Sequence, residues 1–306
     1  MPSNRSRDRS EPVVTFCVVG AGKAGTTWLF EVLRAHPDVV MARAKETMYF
    51  DAQYGRGVEW YHSMFPADAV APTGEVSNTY LTAPSAPARI AAYNPQMQLI
   101  ALLRDPVDRA MSNYLFFLRN GQVRGSFEEA LEARPDLLDH GFYGRHLQNY
   151  LGHFPMSAVH LEAFDDLAAD PHSVAARVLT HLGLPDTEIP AVAGSQVLAA
   201  SAPRSRAVAA VMKSGAVMVR QLGAPGFVTR VKRGSLPRYL YRPLSARPTM
   251  SPETSARLRE LYTDDVELLT TLTGRHWADL WWEREHGKAL GRSDGLPSAP
   301  PEGVRL

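Results

Sequence analysis

Val18-Val19-Gly20-Ala21-Gly22-Lys23-Ala24-Gly25-Thr26-Thr27-Trp28 decides the reading of this chain. Apolar strand residues run into a glycine-rich turn with one lysine, and two threonines open a helix. Such a turn makes an anion cradle. Backbone N–H groups at the helix start point at a phosphate, and the helix dipole favours negative charge. Gly20, Gly22 and Gly25 let the backbone approach the anion closely. In a nucleoside-triphosphate P-loop, GxxxxGK[ST], the lysine directly follows the last glycine. Gly20 and Gly25 keep that spacing, but Thr26 fills the lysine position and Lys23 sits inside the loop. The cradle is kept and its cation is displaced.

Composition bounds what surrounds this loop. The chain has 306 residues, 45% of them hydrophobic, enough for one large α/β domain with its own core. A net charge of +1 gives no sign of a nucleic-acid surface. The one cysteine, Cys17, lies in the first strand, reads as core packing and excludes an internal disulfide. No apolar run of about 18 residues predicts a membrane span. The polar, Arg-rich start has no apolar segment of a signal peptide, so a reducing, cytoplasmic setting is expected. High Ala, Arg and Pro content suggests a GC-rich bacterial genome. The sequence carries no signal of oligomeric state.

Residues 1–12 and 287–306 read as disordered ends around a single domain spanning 13–286. Short apolar runs predict strands at Thr15–Val19, Gly74–Ser77, Gln98–Leu103 and Val159–Ala163, suited to a buried parallel sheet. Helices are expected at Thr26–Ala35, Ser85–Tyr93, Pro106–Arg119, Phe127–Glu132, Gly144–His153, His172–Leu182 and Pro252–Leu272. The alternation predicts an α/β fold, a P-loop-type parallel sheet with helices on both faces. Ligands then bind beyond the strand C-termini, where the glycine loop lies.

The loop resembles that of sulfotransferases that use 3′-phosphoadenosine 5′-phosphosulfate (PAPS), K-x-G-T-T/S-x-L with H-P a few residues on. Lys23, Gly25, Thr26, Thr27, Leu29 and His36-Pro37 match. The resemblance implies that the amides of Gly22 to Trp28, with Thr26 and Thr27, hold the 5′-phosphate. It also implies that Lys23 stabilises charge on the leaving phosphate. A second element, Leu103-Arg104-Asp105-Pro106 through Arg109, Ser112 and Tyr114, resembles the family's 3′-phosphate site. Arg104 and Ser112 carry over as ligands, an arginine fork and a hydroxyl suited to a phosphate dianion. The competing reading pairs Arg104 with Asp105 or Asp108. Arg109 reads as structural, in an ion pair on the helix.

Lys45-Glu46-Thr47-Met48-Tyr49-Phe50, with Gly57, Trp60-Tyr61 and Phe65-Pro66, resembles a block of the heparan-sulfate-type enzymes whose glutamate is the catalytic base. Glu46 is the matching position. A carboxylate within reach of an acceptor hydroxyl can take its proton as it attacks sulfur. The bland alternative is a surface carboxylate paired with Lys45. Gly74-Glu75-Val76-Ser77 through Tyr80 resembles a further segment, with Val76 where those enzymes carry lysine. Glu75 is the reserve base, or else a carboxylate hydrogen-bonded at a strand end. Phe142 to Pro155 also matches, mostly at packing positions, and Tyr143 is a candidate for the acceptor cleft. The basic, glycine-containing loop of the polysaccharide enzymes would fall near Tyr239–Pro248, or be replaced by Lys232-Arg233-Gly234. Ser195–Arg238 is a candidate lid or acceptor pocket.

These features imply transfer of a sulfuryl group from PAPS to a hydroxyl, releasing PAP and needing no metal. The loss of lysine at Val76 favours a small-molecule, sugar or glycolipid acceptor over an anionic polymer. The alternatives are a P-loop kinase or NTPase and a non-catalytic nucleotide-binding protein. A kinase needs a Mg²⁺ site, and Asp105, between Arg104 and Pro106, matches that poorly.

Overall fold

The computed structural model describes residues 14–67, 72–185, 189–194, 202–203, 241–242 and 248–283. The expected disordered ends, nearly all of the Ser195–Arg238 span and Lys232-Arg233-Gly234 lie outside the described residues.

The first strand, β1 (Phe16–Gly20), is buried at all five positions. An apolar run without alternation belongs to a strand covered on both faces. α1 (Thr26–Ala35) follows, then β2 (Val40–Met41), α2 (Val58–His62), β3 (Thr73–Val76), α3 (Ala86–Tyr93) and β4 (Gln98–Leu103). Next come α4 (Pro106–Arg119), α5 (Phe127–Ala133), α6 (Asp136–Asp139), α7 (Tyr143–Leu151), β5 (Val159–Ala163), α8 (Phe164–Ala169) and α9 (Pro171–His181). A short antiparallel pair, β6 (Ala202–Pro203) with β7 (Tyr241–Arg242), precedes α10 (Pro252–Thr273).

The five main strands lie in the order β2-β3-β1-β4-β5, and every pairing is parallel. Cys17 at the centre stands beside Glu75 on one side and Leu99 on the other. The chain leaves β1 toward β2, then returns past it to β4. Right-handed crossovers in opposite directions place α1 and α3 on opposite faces of the sheet. The strand order reverses beside β1, so loops after β1, β3 and β4 open into one crevice.

Several helices start where the sequence places a cap. Asp105 accepts the N–H groups of Val107 at 2.7 Å and Asp108 at 3.1 Å, with Pro106 at the first helical position. Asp170 and Ser251 cap α9 and α10 in the same way, each followed by proline. Proline there gives up an N–H that has no partner within the helix.

α10 packs on α7 and caps it. The Asp265 carboxylate accepts the Gly144 N–H at 2.8 Å and the Arg145 N–H at 2.9 Å. Gly144 lets the two backbones meet, since a Cβ there would stand 2.4 Å from the Asp265 carbonyl oxygen.

Predicted strands and helices appear within one or two residues of the expected bounds. β2, α2, α6 and α8 were not expected. At two to six residues each, they are too short to show a period of their own. Gly144→Ala is expected to destabilise the fold by about 1–3 kcal/mol through overpacking against α10. Urea unfolding checks this, and an unchanged midpoint would mean that the two backbones are not in contact.

Candidate active site

The glycine loop leaves β1 at Gly20 and is tied at once to β4, where the Ala21 N–H donates to the Leu102 carbonyl at 2.8 Å. Gly25 ends the loop with φ 99°, and a Cβ there would also meet Leu167 at 2.5 Å. Gly25 is the N-cap of α1, and no side chain caps that helix. The N–H groups of its first turn therefore lack the side-chain partner that α4, α9 and α10 have. The side chains of Ala24, Thr26 and Trp28 are buried. The Trp28 indole N–H donates to the Ala193 carbonyl at 2.9 Å. What Ala24 and Trp28 present to the loop is backbone.

Lys23 has φ 75°, in the left-handed region. Its Nζ lies 4.7 Å from the centre of the Phe116 ring. Burial, with the charges of Arg119, Arg104 and Lys45, pushes the ammonium down to about 8. Four cations thus share one small region.

Arg104 follows β4. It bonds the Asp108 carboxylate at 2.8 Å, and its guanidinium lies 4.8 Å from the Phe164 ring centre. This is the pairing weighed against ligand binding in the sequence. Yet the Asp108 side chain is 61% exposed, and the Arg104 Nε is buried without a hydrogen-bond partner. An exposed pair of this kind contributes little, so a phosphate can displace it. Ser112 is half-buried on α4. A helix without a side-chain cap, an orphaned guanidinium N–H and an ammonium crowded by like charge fit a polyanion such as PAPS.

Glu46 follows β2 and also has a left-handed backbone, φ 64°. It pairs with Lys45, and its Oε2 accepts the Asn78 N–H at 3.1 Å. Its side chain is 19% exposed. Asn78 follows β3, and its side-chain nitrogen lies 3.7 Å from where a Cβ on Gly22 would stand. Glu46 is therefore bonded to a residue beside the glycine loop.

Glu75 is placed differently. It has no exposed surface and accepts hydrogen bonds from the hydroxyls of Thr47, Tyr61 (2.8 Å), Ser77 (2.8 Å) and Tyr80 (2.9 Å). Burial raises its pKa, against the pull of those four donors. Burial and the Glu75 charge likewise push the Cys17 thiol up. The strand-end reading of Glu75 describes this geometry.

Two further readings change. Tyr143, a candidate for the acceptor cleft, is 1% exposed and packs toward Trp281 inside the core. Arg109, expected in an ion pair on the helix, is buried and donates to the Leu137 carbonyl at 2.5 Å. Sequence reasoning missed Phe116, Arg119 and Asn78. Ser112, Phe116 and Arg119 recur at i, i+4 and i+7, which puts them on one helix face and would have flagged the first two.

The site defines an α/β protein built to hold a polyanion at the C-terminal edge of its sheet. The chain belongs to the sulfotransferase domain family, whose model matches residues 15–264. It is 34% identical over 177 residues to heparan sulfate glucosamine 3-O-sulfotransferase 3B1 of Mus musculus, covering 55% of this chain and 45% of that protein. It is 37% identical over 177 residues to heparan sulfate glucosamine 3-O-sulfotransferase 6 of Homo sapiens, covering 55% and 51%. The chain thus spans about half the length of the curated relatives it matches. A sulfotransferase from Alicyclobacillus acidocaldarius has the same fold, with TM-score 0.62 at 23% identity over 85% of this chain and 96% of that one.

The crowding of Lys23 has a measurable consequence. Below pH 8 the folded state carries the full cost of a desolvated ammonium among like charges; that cost is released as pH rises from about 8 toward 10.5. Lys23→Met is therefore expected to stabilise the free protein at about pH 7 by about 1–2 kcal/mol, net of the lost contact with Phe116. The gain should fade by about pH 10.5, and denaturant unfolding at the two pH values checks it. Equal or lower stability of the variant at about pH 7 would contradict the crowding.

Proposed function

We propose that the protein is a PAPS-dependent sulfotransferase acting on a hydroxyl of a small-molecule, sugar or glycolipid acceptor. One observation carries this reading. A glycine loop without a side-chain cap, Lys23, Arg104 and Glu46 converge from the ends of β1, β4 and β2. Membership of the sulfotransferase family disfavours the kinase or NTPase alternative.

The loop amides from Gly22 to Trp28, with Thr26 and Thr27, hold the 5′-phosphate. Arg104 and Ser112 hold the 3′-phosphate, which separates PAPS from nucleotides without one. When bound, PAPS supplies a sulfuryl group on its 5′-phosphate, and transfer leaves PAP. Lys23 meets the negative charge that gathers on the leaving phosphate oxygen. Glu46 takes the acceptor hydroxyl's proton, and Lys45 and the Asn78 N–H orient its carboxylate. Cations of the protein supply the electrostatic stabilisation. Among the described residues no cluster of three or more His, Cys, Asp or Glu is placed to hold a metal ion.

The curated relatives are named for a carbohydrate acceptor, heparan sulfate glucosamine. Two features here support a less anionic acceptor. Val76, where the polysaccharide enzymes carry lysine, is fully buried. Phe116 is 36% exposed beside Lys23 and offers an apolar ring next to the transferring group. A cytoplasmic bacterial setting belongs to the same proposal. Its support is compositional, and no described helix is long and apolar enough to cross a membrane.

Calorimetric titration with PAP, against 5′-AMP and with EDTA present, tests the site. PAP is expected to bind at least about tenfold tighter than 5′-AMP, since the charge-assisted contacts to the 3′-phosphate are strong ones. Because Lys23 in the free protein titrates near 8, affinity should fall as pH rises through that value. Lys23→Ala should weaken both binding and transfer. Glu46→Gln should keep PAP affinity within about twofold while lowering transfer to an N-acetylglucosamine-oligomer acceptor, whose hydroxyls stay protonated, by about 10²–10⁴-fold. Metal-dependent binding of ATP with no response to PAP would overturn the reading.

A further inference from the structure

We infer that Glu75 is the positioning residue for Glu46: a buried carboxylate that fixes the turn carrying the proposed base through a shell of hydroxyls. The inference rests on the reading of Glu46 as base.

Glu75 is fully buried, and no cation is among the hydrogen-bond donors to its carboxylate. Its partners are four hydroxyls. A hydroxyl has one proton to donate and two lone pairs to accept with. Each of the four hydroxyls donates its proton to Glu75, which leaves none for the 3.1 Å contact between Thr47 Oγ1 and the Tyr80 hydroxyl. Their lone pairs then face outward, and three of them meet successive backbone N–H groups of the turn. The Met48 N–H donates to Ser77 Oγ at 3.1 Å. The Tyr49 N–H donates to Thr47 Oγ1 at 3.3 Å. The Phe50 N–H donates to the Tyr80 hydroxyl at 3.2 Å. The carboxylate sets the direction of every hydroxyl, and the hydroxyls set the path of the backbone.

That path needs holding. Glu46 and Met48 are two of the three non-glycine residues with positive φ among the described residues, at 64° and 54°. Side chains on such a backbone persist only where the surroundings over-determine them. Here the restraint is one-sided and internal. The Glu46 N–H is held by the Val76 carbonyl at 2.8 Å, and the residues after it are held by the Glu75 shell. The result is a carboxylate aimed at the Asn78 N–H, beside the glycine loop.

The Asn78 N–H gives a readout of Glu46 that needs neither acceptor nor cofactor, because Glu46 is its hydrogen-bond partner. Amide hydrogen exchange of the full chain, resolved by NMR, is measured for wild type, Glu75→Gln, Thr47→Val and Thr47→Ser. Met48, Phe50 and Asn78 are expected to exchange at least about tenfold faster in Glu75→Gln and Thr47→Val, while strand amides of β1 and β4 keep wild-type protection. Thr47→Ser restores the hydroxyl and should return all three amides to wild-type rates. If Asn78 keeps its protection while the turn loosens, Glu46 is not positioned from Glu75 and the inference fails. It fails equally if Glu75→Gln leaves all three amides unchanged. Should Glu75→Gln not fold, the Thr47→Val and Thr47→Ser pair decides alone, because it removes or keeps one hydroxyl without touching the carboxylate. A parallel titration of each variant with PAP should give affinities within about twofold of wild type, as expected when the glycine loop is untouched. Failure of wild type itself to bind PAP would overturn the sulfotransferase reading and leave the exchange result standing.

Discussion

Like charge is held together at the edge of this sheet. Burial of Lys23, with the charges of Arg119, Arg104 and Lys45 added to it, brings its ammonium down to about 8. In water such groups would separate. Lys23 and Arg104 stay because each follows a buried strand, Lys23 after β1, buried at every position, and Arg104 after β4, buried at five of six. The Ala21 N–H bond to Leu102 ties the two strand ends into one edge. Packing in the core therefore sustains an electrostatic arrangement that is unfavourable until an anion arrives. Sites of this kind trade stability for function, and the trade is expected where charge has been placed ahead of its ligand.

Strain is concentrated in the same place. Lys23, Glu46 and Met48 are the described non-glycine residues with left-handed backbone. Two of them are the proposed catalytic pair, and the third sits two residues beyond Glu46. A left-handed lysine between Gly22 and Gly25 folds its side chain back toward α4, where Phe116 receives the ammonium. A left-handed Glu46 turns its carboxylate toward Asn78. Ordinary extended or helical backbone at either residue would aim these side chains elsewhere. The backbone departs from regular structure where the chemistry requires a direction that regular structure does not supply.

Some of this was legible in the sequence, and the reason differs from element to element. β4 and α4 were placed residue for residue because Leu103-Arg104-Asp105-Pro106 carries its own punctuation: an apolar run, a cap and a proline at the first helical position. β2 was not seen, since two residues at a sheet edge have no period and are defined by β3 beside them. Lys23 was visible through glycine spacing, which is local. Glu75 was legible as a hydrogen-bonded strand-end carboxylate, with Ser77 and Tyr80 close by in sequence, but its full shell was not, because Thr47 and Tyr61 reach it only through parallel strand pairing and the packing of α2. Phe116 and Arg119 were readable in principle from helical spacing on α4, but nothing local says that this face looks onto the loop after β1. Local rules recover elements and cradles; long-range pairing decides which carboxylate is buried and which is presented.

The two halves of the proposed site are consequently built to different tolerances. On the Arg104 side the first turn of α4 is locked from several directions. Asp105 caps it, and Arg109 one turn later holds the Leu137 carbonyl. The next carbonyl, Leu138, is held by the Tyr262 hydroxyl of α10 at 2.8 Å. α10 in turn caps α7 through Asp265. Nothing there needs to be made when a phosphate displaces Asp108 from Arg104 beyond the exchange of one exposed carboxylate for another anion. On the Lys23 side the groups are charged, crowded and set on strained backbone, so their interactions improve as negative charge accumulates. A rigid half whose guanidinium keeps one buried N–H unpartnered until an anion arrives suits recognition. A half whose electrostatic relief grows with developing charge stabilises a transition state more than a ground state, and only that difference accelerates a reaction.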